Sequence, residues 1–129
     1  MNNNVAYDNV ELTLPMKREY VSTARLTASS VANRVGFNID EVEDIKVAVS
    51  EVCNIILSKE SNEVGQYKIS FCIRENILQI SFTGENTPFK YLRDSLENEY
   101  GLYIMKALMD SVELSNDSNS IVMAKKIGE

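Results

Sequence analysis

Histidine is absent from this sequence of 129 residues, and cysteine is scarce. Without histidine the chain can build no Ser-His-Asp triad, no histidine metal site and no phosphohistidine. Any catalysis must therefore use carboxylates, lysine or backbone groups. The two cysteines, Cys53 and Cys72, stand far apart without CxxC spacing, which argues against both a metal site and a disulfide framework. We expect both to be buried, reduced thiols.

The chain also has fewer basic than acidic residues, and it has no long apolar run. The formal net charge is −6, and lysine and arginine are scattered along the chain, which argues against nucleic acid or an anionic membrane as a partner. No segment reaches the ~20 apolar residues needed to cross a bilayer, and the stretch 1–4 is neither basic nor apolar. These features predict a cytoplasmic protein, and its length and 44% hydrophobic content predict a single domain over 1–129.

The first half of the chain predicts one strand and two helices. Apolar and polar residues alternate over 10–14, which is the period of a half-buried strand. Apolar residues then recur at steps of three and four over 17–35 and again over 39–58. Asn38 and Glu41 have the spacing of a capping box at the start of the second helix. A pair of amphipathic helices is therefore expected after the first strand.

The second half predicts two hairpins on either side of a third helix. Alternating runs at 67–73 and 78–82 form the first hairpin, and polar residues over 84–99 indicate a long loop. A helical pattern covers 101–110, and alternation returns over 112–123 around a polar turn. Hairpin strands with helices segregated between them predict an α+β fold. We expect a two-layer α/β sandwich, in which a mixed, mainly antiparallel sheet carries the helices on one face.

This order of elements, together with several short sequence segments, resembles the anti-sigma regulatory factors and serine/threonine kinases of the GHKL, or histidine kinase-like ATPase, superfamily. The segments are LP at 14–15, EYV at 19–21, ARLT at 24–27, EVEDIKVAVSE at 41–51, GLYIM at 101–105 and LMD at 108–110. The similarity covers nearly the whole chain. It implies the histidine kinase-like ATPase fold and control of a sigma factor.

The resemblance makes Glu51 the candidate catalytic residue, as the general base that transfers phosphate to a serine of an antagonist protein. The family carries a magnesium-binding Asn four residues later, about one helical turn on, so that both groups face the nucleotide phosphates. Here that position is Ile55, and Asn54 lies ~100° away around the helix axis. Asn54 is the candidate magnesium ligand. A solvated Glu51 on the helix flank and a surface Asn54 are the alternative interpretations.

The two other nucleotide motifs of the family are eroded. Its adenine-binding Asp-x-Gly segment has Gly84 and Asn86 at the two defining positions, with Glu85 between them as a candidate substitute. Of the glycine-rich segment that cradles phosphates, only Gly101 is left, and two glutamates close before it oppose triphosphate binding. We therefore expect no cofactor, or MgATP bound through Asn54, Glu85 and Gly101 if the nucleotide site is retained.

Two functions remain open, and a third is weaker. The first is an anti-sigma regulatory factor that sequesters a sigma factor or its antagonist without nucleotide chemistry. The second is an active ATP-dependent serine/threonine protein kinase that phosphorylates an anti-anti-sigma factor. The third is a domain that pairs with some other signalling protein.

Arg25 falls where the family presents a basic residue to its partners. The resemblance also implies a homodimer through the first strand and first helix, and an unpaired strand edge at 10–14 would give a physical reason for it.

Overall fold

The computed structural model describes residues 8–59, 65–84, 100–115 and 120–128. A 3-10 turn at Arg18–Tyr20 precedes the first helix. The strands and helices are β1 (Asp8–Pro15), α1 (Val21–Val35), α2 (Ile39–Lys59), β2 (Gln66–Arg74), β3 (Ile77–Gly84), α3 (Gly101–Leu108), β4 (Ser111–Leu114) and β5 (Ser120–Lys126). The α+β fold class is confirmed. The predicted loop at 84–99, apart from Gly84, and the turn of the second hairpin lie outside the described residues.

The sheet has five strands in the order β1-β2-β3-β5-β4. Each of the four strand pairings in the described part of the chain is antiparallel, whereas the sequence predicts a mixed, mainly antiparallel sheet. The reason lies in the second hairpin. Strands β3 and β4 run in the same direction, but β5 inserts between them and pairs with both. The two strands that could have formed a parallel ladder are therefore never neighbours.

The predicted helices are present, with small shifts at their ends. Gly36 ends α1 in the left-handed region, at φ 108°, where glycine has no side chain to clash. The capping box of α2 is confirmed, because the Asn38 N–H donates to Glu41 Oε1 and the Glu41 N–H donates to Asn38 Oδ1, both at 2.8 Å. Helix α3 stops before the predicted end at 110, since Met109 already has extended backbone angles.

All three helices pack on one face of the sheet, as predicted. Alternate residues of the central strands point into this layer and are fully buried, namely Tyr67, Ile69 and Phe71 of β2, Leu78, Ile80 and Phe82 of β3, and Ile121 and Met123 of β5. Residues between them, such as Ser70 and Ser81, are half-buried on the other face. The core therefore lies between the sheet and the helices, and α2 is its central helix.

The two cysteines differ in burial. Cys53 on α2 is fully buried, whereas Cys72 on β2 is half-buried. Both are free thiols. The prediction of two buried thiols is thus wrong for Cys72, because strand alternation places it on the sheet face opposite the buried Phe71. In the described part of the chain, no helix is long and apolar enough to span a membrane.

Candidate site between the second and third helices

Glu51 and Gly101 lie together where the start of α3 meets the middle of α2. Gly101 is buried, and Glu51 is half-buried. A Cβ atom added to Gly101 would lie 3.6 Å from Glu51 Oε1 and only 2.7 Å from Ile55 Cδ1. The missing side chain of Gly101 therefore lets α3 approach α2 closely. Two of the residues singled out from the sequence, Glu51 and Gly101, belong to one site.

Ile55, rather than an amide side chain, completes the α2 side of this site. It lies one helical turn beyond Glu51 and is only 6% exposed. Asn54 is exposed and shares the outer face of α2 with Val47, which is also exposed. The structure thus brings Glu51 and Gly101 together but leaves Asn54 outside their contact. Glu85, the remaining candidate for nucleotide binding, lies outside the described residues.

The side chains around Glu51 do not fit the magnesium site that the resemblance implies. Magnesium takes oxygen ligands in an octahedral arrangement, and the position for the second protein ligand holds the hydrocarbon side chain of Ile55. Among the described residues, no group of three or more His, Cys, Asp or Glu side chains could hold a metal ion. The described part of this site therefore lacks the oxygen ligands that a magnesium ion needs.

Glu51 also has a structural role open to it. Its carboxylate lies beside the first residue of α3, and negative charge stabilises the N-terminal end of a helix. Tyr100, the residue before α3, provides no side-chain cap within the described residues. The interaction of Glu51 with the start of α3 needs neither a nucleotide nor a metal.

The core below α2 contains a polar pair that the sequence analysis did not identify. Tyr67 is fully buried, and its hydroxyl makes no hydrogen bond of acceptable geometry with any of the described residues. Its polar neighbour is the thiol of Cys53, whose pKa burial raises to about 11. Burial also raises the pKa of Tyr67, and the nearby thiol raises it further. Both groups are therefore neutral at physiological pH.

Arg25 lies on α1, away from the Glu51 site. Its side chain is exposed, and the next residue, Leu26, is 69% exposed. No described acidic residue forms an ion pair with Arg25. The outer face of α1 thus presents an unpaired cation beside a large apolar side chain, a combination that suits contact with another protein.

Comparison with known proteins defines the family to which this chain belongs. The chain belongs to the histidine kinase-like ATPase domain family, whose model matches residues 14–125. The superfamily that the short sequence segments predict is thereby confirmed.

Two relatives and one solved structure show which members of the family this chain resembles. The chain is similar to the serine-protein kinase RsbW of Bacillus cereus, with 35% identity over 93% of this chain and 85% of the relative. It is 33% identical to the serine-protein kinase RsbW of Halalkalibacterium halodurans, over 92% of this chain and 83% of that one. A crystal structure of the RsbU and RsbW domains of a Mycobacterium tuberculosis protein has the same fold, with a TM-score of 0.68 and 14% identity over 93% of this chain and 32% of the longer one.

Proposed function

We propose that the protein is an anti-sigma regulatory factor that acts by sequestering a sigma factor or its anti-anti-sigma antagonist, with ATP binding weak or lost. The observation that carries the proposal is the contact between Ile55 and Gly101. A buried hydrocarbon side chain occupies the helix position where the family carries its magnesium ligand. The family membership supports the partner class, and the apolar substitution supports the loss of nucleotide chemistry.

The contact surface of the proposal is the outer face of α1. Arg25 is exposed there and has no ion pair with any described residue. A charge near the centre of an interface contributes more to affinity than a charge at its rim. We place Arg25 at that centre, in a cytoplasmic protein that forms a homodimer through the free edge of β1.

The test is retention of purified partners by the immobilised protein. A purified sigma factor and a purified anti-anti-sigma antagonist are offered separately, once with MgATP and once with EDTA. We expect one of them to be retained equally in both, because no nucleotide state gates the complex. Arg25→Glu should weaken retention at least ~30-fold, which corresponds to about 2 kcal/mol.

Lys106→Glu is the matched control, since Lys106 is also exposed but lies on α3. It makes the same charge change and should leave retention unaltered. Retention that requires MgATP would contradict the loss of nucleotide gating. Failure to retain either partner would contradict sequestration and leave a different signalling partner as the explanation.

The alternative function is that of an active serine/threonine protein kinase that phosphorylates the antagonist. Two observations speak for it, namely the proximity of Glu51 to Gly101 and the names of the relatives, while the apolar Ile55 beside them speaks against it. Transfer of radiolabelled phosphate from ATP to the antagonist would establish it. Glu51→Gln should then abolish transfer while leaving nucleotide binding nearly intact, because a general base acts in the transition state.

A further inference from the structure

The segment 125–128, which follows and includes the end of β5, connects two helices that are far apart in the sequence. Lys125 Nζ donates a hydrogen bond of 2.6 Å to the carbonyl oxygen of Leu108, the last residue of α3. Three residues further on, the Gly128 N–H donates to Glu41 Oε2 in the first turn of α2, at 2.9 Å. The segment therefore bridges the C-terminal end of α3 and the N-terminal end of α2.

Backbone hydrogen bonds hold the middle of this segment in place. The Lys126 N–H donates to Asp110 Oδ2 at 2.6 Å, just beyond the end of α3. The Ile127 N–H donates to the carbonyl oxygen of Asn76, in the turn between β2 and β3, at 2.9 Å. The side chain of Ile127 is half-buried and packs against the core. Each residue of the segment thus has a partner elsewhere in the fold.

The charges at the two helix ends favour this bridge. A helix has partial negative charge at its C-terminal end, which the ammonium group of Lys125 offsets, and partial positive charge at its N-terminal end, which the carboxylate of Glu41 offsets. Hydrogen bonds from the N–H groups of Asn38 and Gly128 lower the pKa of Glu41, and the charge of Lys125 lowers it further. These effects outweigh partial burial and the charge of Asp110, which act in the opposite direction. Glu41 is therefore ionised at neutral pH.

Helix α3 depends on contacts with the rest of the chain for its position. It has only eight residues, fewer than an isolated helix needs to be stable in water, and the residue before it, Tyr100, provides no side-chain cap. It nevertheless lies so close to α2 that a Cβ atom at Gly101 would meet Ile55 Cδ1 at 2.7 Å. The bridge fixes the opposite end of α3, roughly 10 Å along the helix from Gly101.

We propose that residues 125–128 form a clasp that holds α3 against α2 and thereby keeps the site between Glu51 and Gly101 closed. The proposal rests on the proposed function and specifies how its site is regulated. Release of either end of the clasp lets α3 move away from α2, which separates Gly101 from Ile55. A contact that captures Lys125 or the end of the segment therefore opens the site from a distance.

Amide hydrogen exchange of the full-length, nitrogen-15-labelled protein tests the clasp. Lys125→Met keeps an apolar side chain of similar length and removes the ammonium group. The N–H groups of Ile104 and Met109 report on the two ends of α3, since both donate to carbonyl oxygens within or just before the helix. We expect both to exchange at least about 10-fold faster in the variant, because the whole helix is released as a unit.

Lys126→Met is the matched control for this variant. Lys126 is exposed and contributes its backbone N–H, not its side chain, to the clasp. The same exchange of lysine for methionine should therefore change the exchange rates in α3 by less than about twofold.

Glu41→Gln releases the other end of the clasp. Glutamine keeps a carbonyl oxygen, but its NH₂ group cannot accept the hydrogen bond from the Gly128 N–H. The same two amides of α3 should exchange at least about threefold faster, although the change lies on α2. Glu43→Gln is the control, because Glu43 is exposed on the same turn and pairs only with Lys46 among the described residues. It should leave exchange in α3 unaltered.

A double-mutant cycle tests whether the clasp acts on the site. Gly101 and the clasped residue Leu108 are roughly 10 Å apart, so Gly101→Ala and Lys125→Met should have additive effects on the unfolding equilibrium if Lys125 only caps the helix. If the clasp closes the site, Gly101→Ala should change the unfolding equilibrium constant by a factor at least about twofold smaller in the Lys125→Met background. The reason is that α3 is then free to move away from Ile55.

Two outcomes would overturn the clasp. Faster exchange at Met109 without a change at Ile104 would reduce Lys125 to a local helix cap, and an additive cycle would separate the clasp from the site. If Lys125→Met does not fold, Glu41→Gln decides, and unchanged exchange in α3 would then refute the proposal. Chemical shift changes at Gly101 on addition of MgATP to the wild-type protein would contradict the proposed loss of ATP binding but not the clasp, which the exchange data test by themselves.

Discussion

The hydroxyl of Tyr67 lies in the core without a hydrogen bond to any described residue. A buried hydroxyl that loses its hydrogen bonds to water carries a desolvation cost of about 1–3 kcal/mol. The aromatic ring of Tyr67 still fills its place between β2 and α2, beside the buried thiol of Cys53. The unfavourable contribution of Tyr67 to stability thus comes from its hydroxyl oxygen and not from its ring.

Tyr67→Phe removes that oxygen and should raise the free energy of unfolding by about 1 kcal/mol. Urea denaturation followed by circular dichroism measures the change. Tyr103→Phe is the control, because Tyr103 is 72% exposed and its hydroxyl stays in water, so its effect should lie within about 0.5 kcal/mol of zero. A loss of stability in Tyr67→Phe would mean that the hydroxyl has a hydrogen-bond partner after all.

The sequence predicts some residues of the candidate site better than others. Glu51 and Gly101 are recognisable because they stand in the segments 41–51 and 101–105, which carry the resemblance to the family. Periodicity also places Ile55 on the inner side of α2 and Asn54 outside, since one residue corresponds to about 100° of rotation. The Tyr67 and Cys53 pair could not be predicted, because it joins a strand and a helix whose relative position depends on the packed core.

At the scale of elements, the contact between α2 and α3 depends on one missing side chain. The predicted Cβ position at residue 101 lies 2.7 Å from Ile55 Cδ1, which is shorter than any normal carbon contact. A side chain at residue 101 would therefore push α3 away from α2 or force Ile55 into another rotamer. Because Glu51 lies 3.6 Å from the same position, such a shift would also change the candidate site.

Gly101→Ala should lower the free energy of unfolding by about 1 kcal/mol, since the steric cost exceeds the gain in helix propensity. In a double-mutant cycle, Ile55→Val removes the Cδ1 atom that the new methyl group would meet. We expect the double variant to lose at least about 0.5 kcal/mol less than the sum of the single changes. Urea denaturation of the four proteins measures this coupling.

Ile45→Val provides the matched cycle. Ile45 is also fully buried on α2, but it precedes Ile55 by ten residues, or about 15 Å along the helix. Its combination with Gly101→Ala should be additive. Equal coupling in both cycles would show that Gly101→Ala disturbs α2 as a whole and not through its contact with Ile55.

Elements were more predictable than their arrangement. The helices at 17–35 and 39–58 follow from a strong 3.6-residue period with an end signal at Gly36 and a capping box at Asn38. The pairing of β5 between β3 and β4 could not be predicted from alternation, which reports which face a residue occupies but not which strand lies beside it. The resemblance supplied the fold class that local patterns alone leave open.

At the scale of the whole molecule, the sheet ends in two different edges. Within the described ranges, strand β1 has eight residues and pairs only with β2, whereas β4 at the other edge has four. A long edge exposes a row of unpaired backbone groups that can pair with another chain. This difference supports the proposal that two copies associate through β1.

Light scattering at about tens of micromolar protein should therefore give twice the monomer mass. Thr13→Lys places a charge on the long edge and should shift the mass toward the monomer. Ser111→Lys makes the same exchange on β4 and should leave the dimer intact; both positions are exposed. A monomeric wild-type protein would rule out this dimer, and dissociation by Ser111→Lys alone would place the interface at the other edge.

The pairing of β1 with β2 also constrains how the chain folds during translation. Its paired residues are separated by 51 positions, from Pro15 to Gln66, up to 65 positions, from Asp8 to Ile73. At a synthesis rate of about 5–20 residues per second, β1 leaves the ribosome roughly 3–13 s before its partner strand is complete. Both long helices are made in that interval. Of the strands that the structure describes, the first to be synthesised is thus the one that waits longest for its partner.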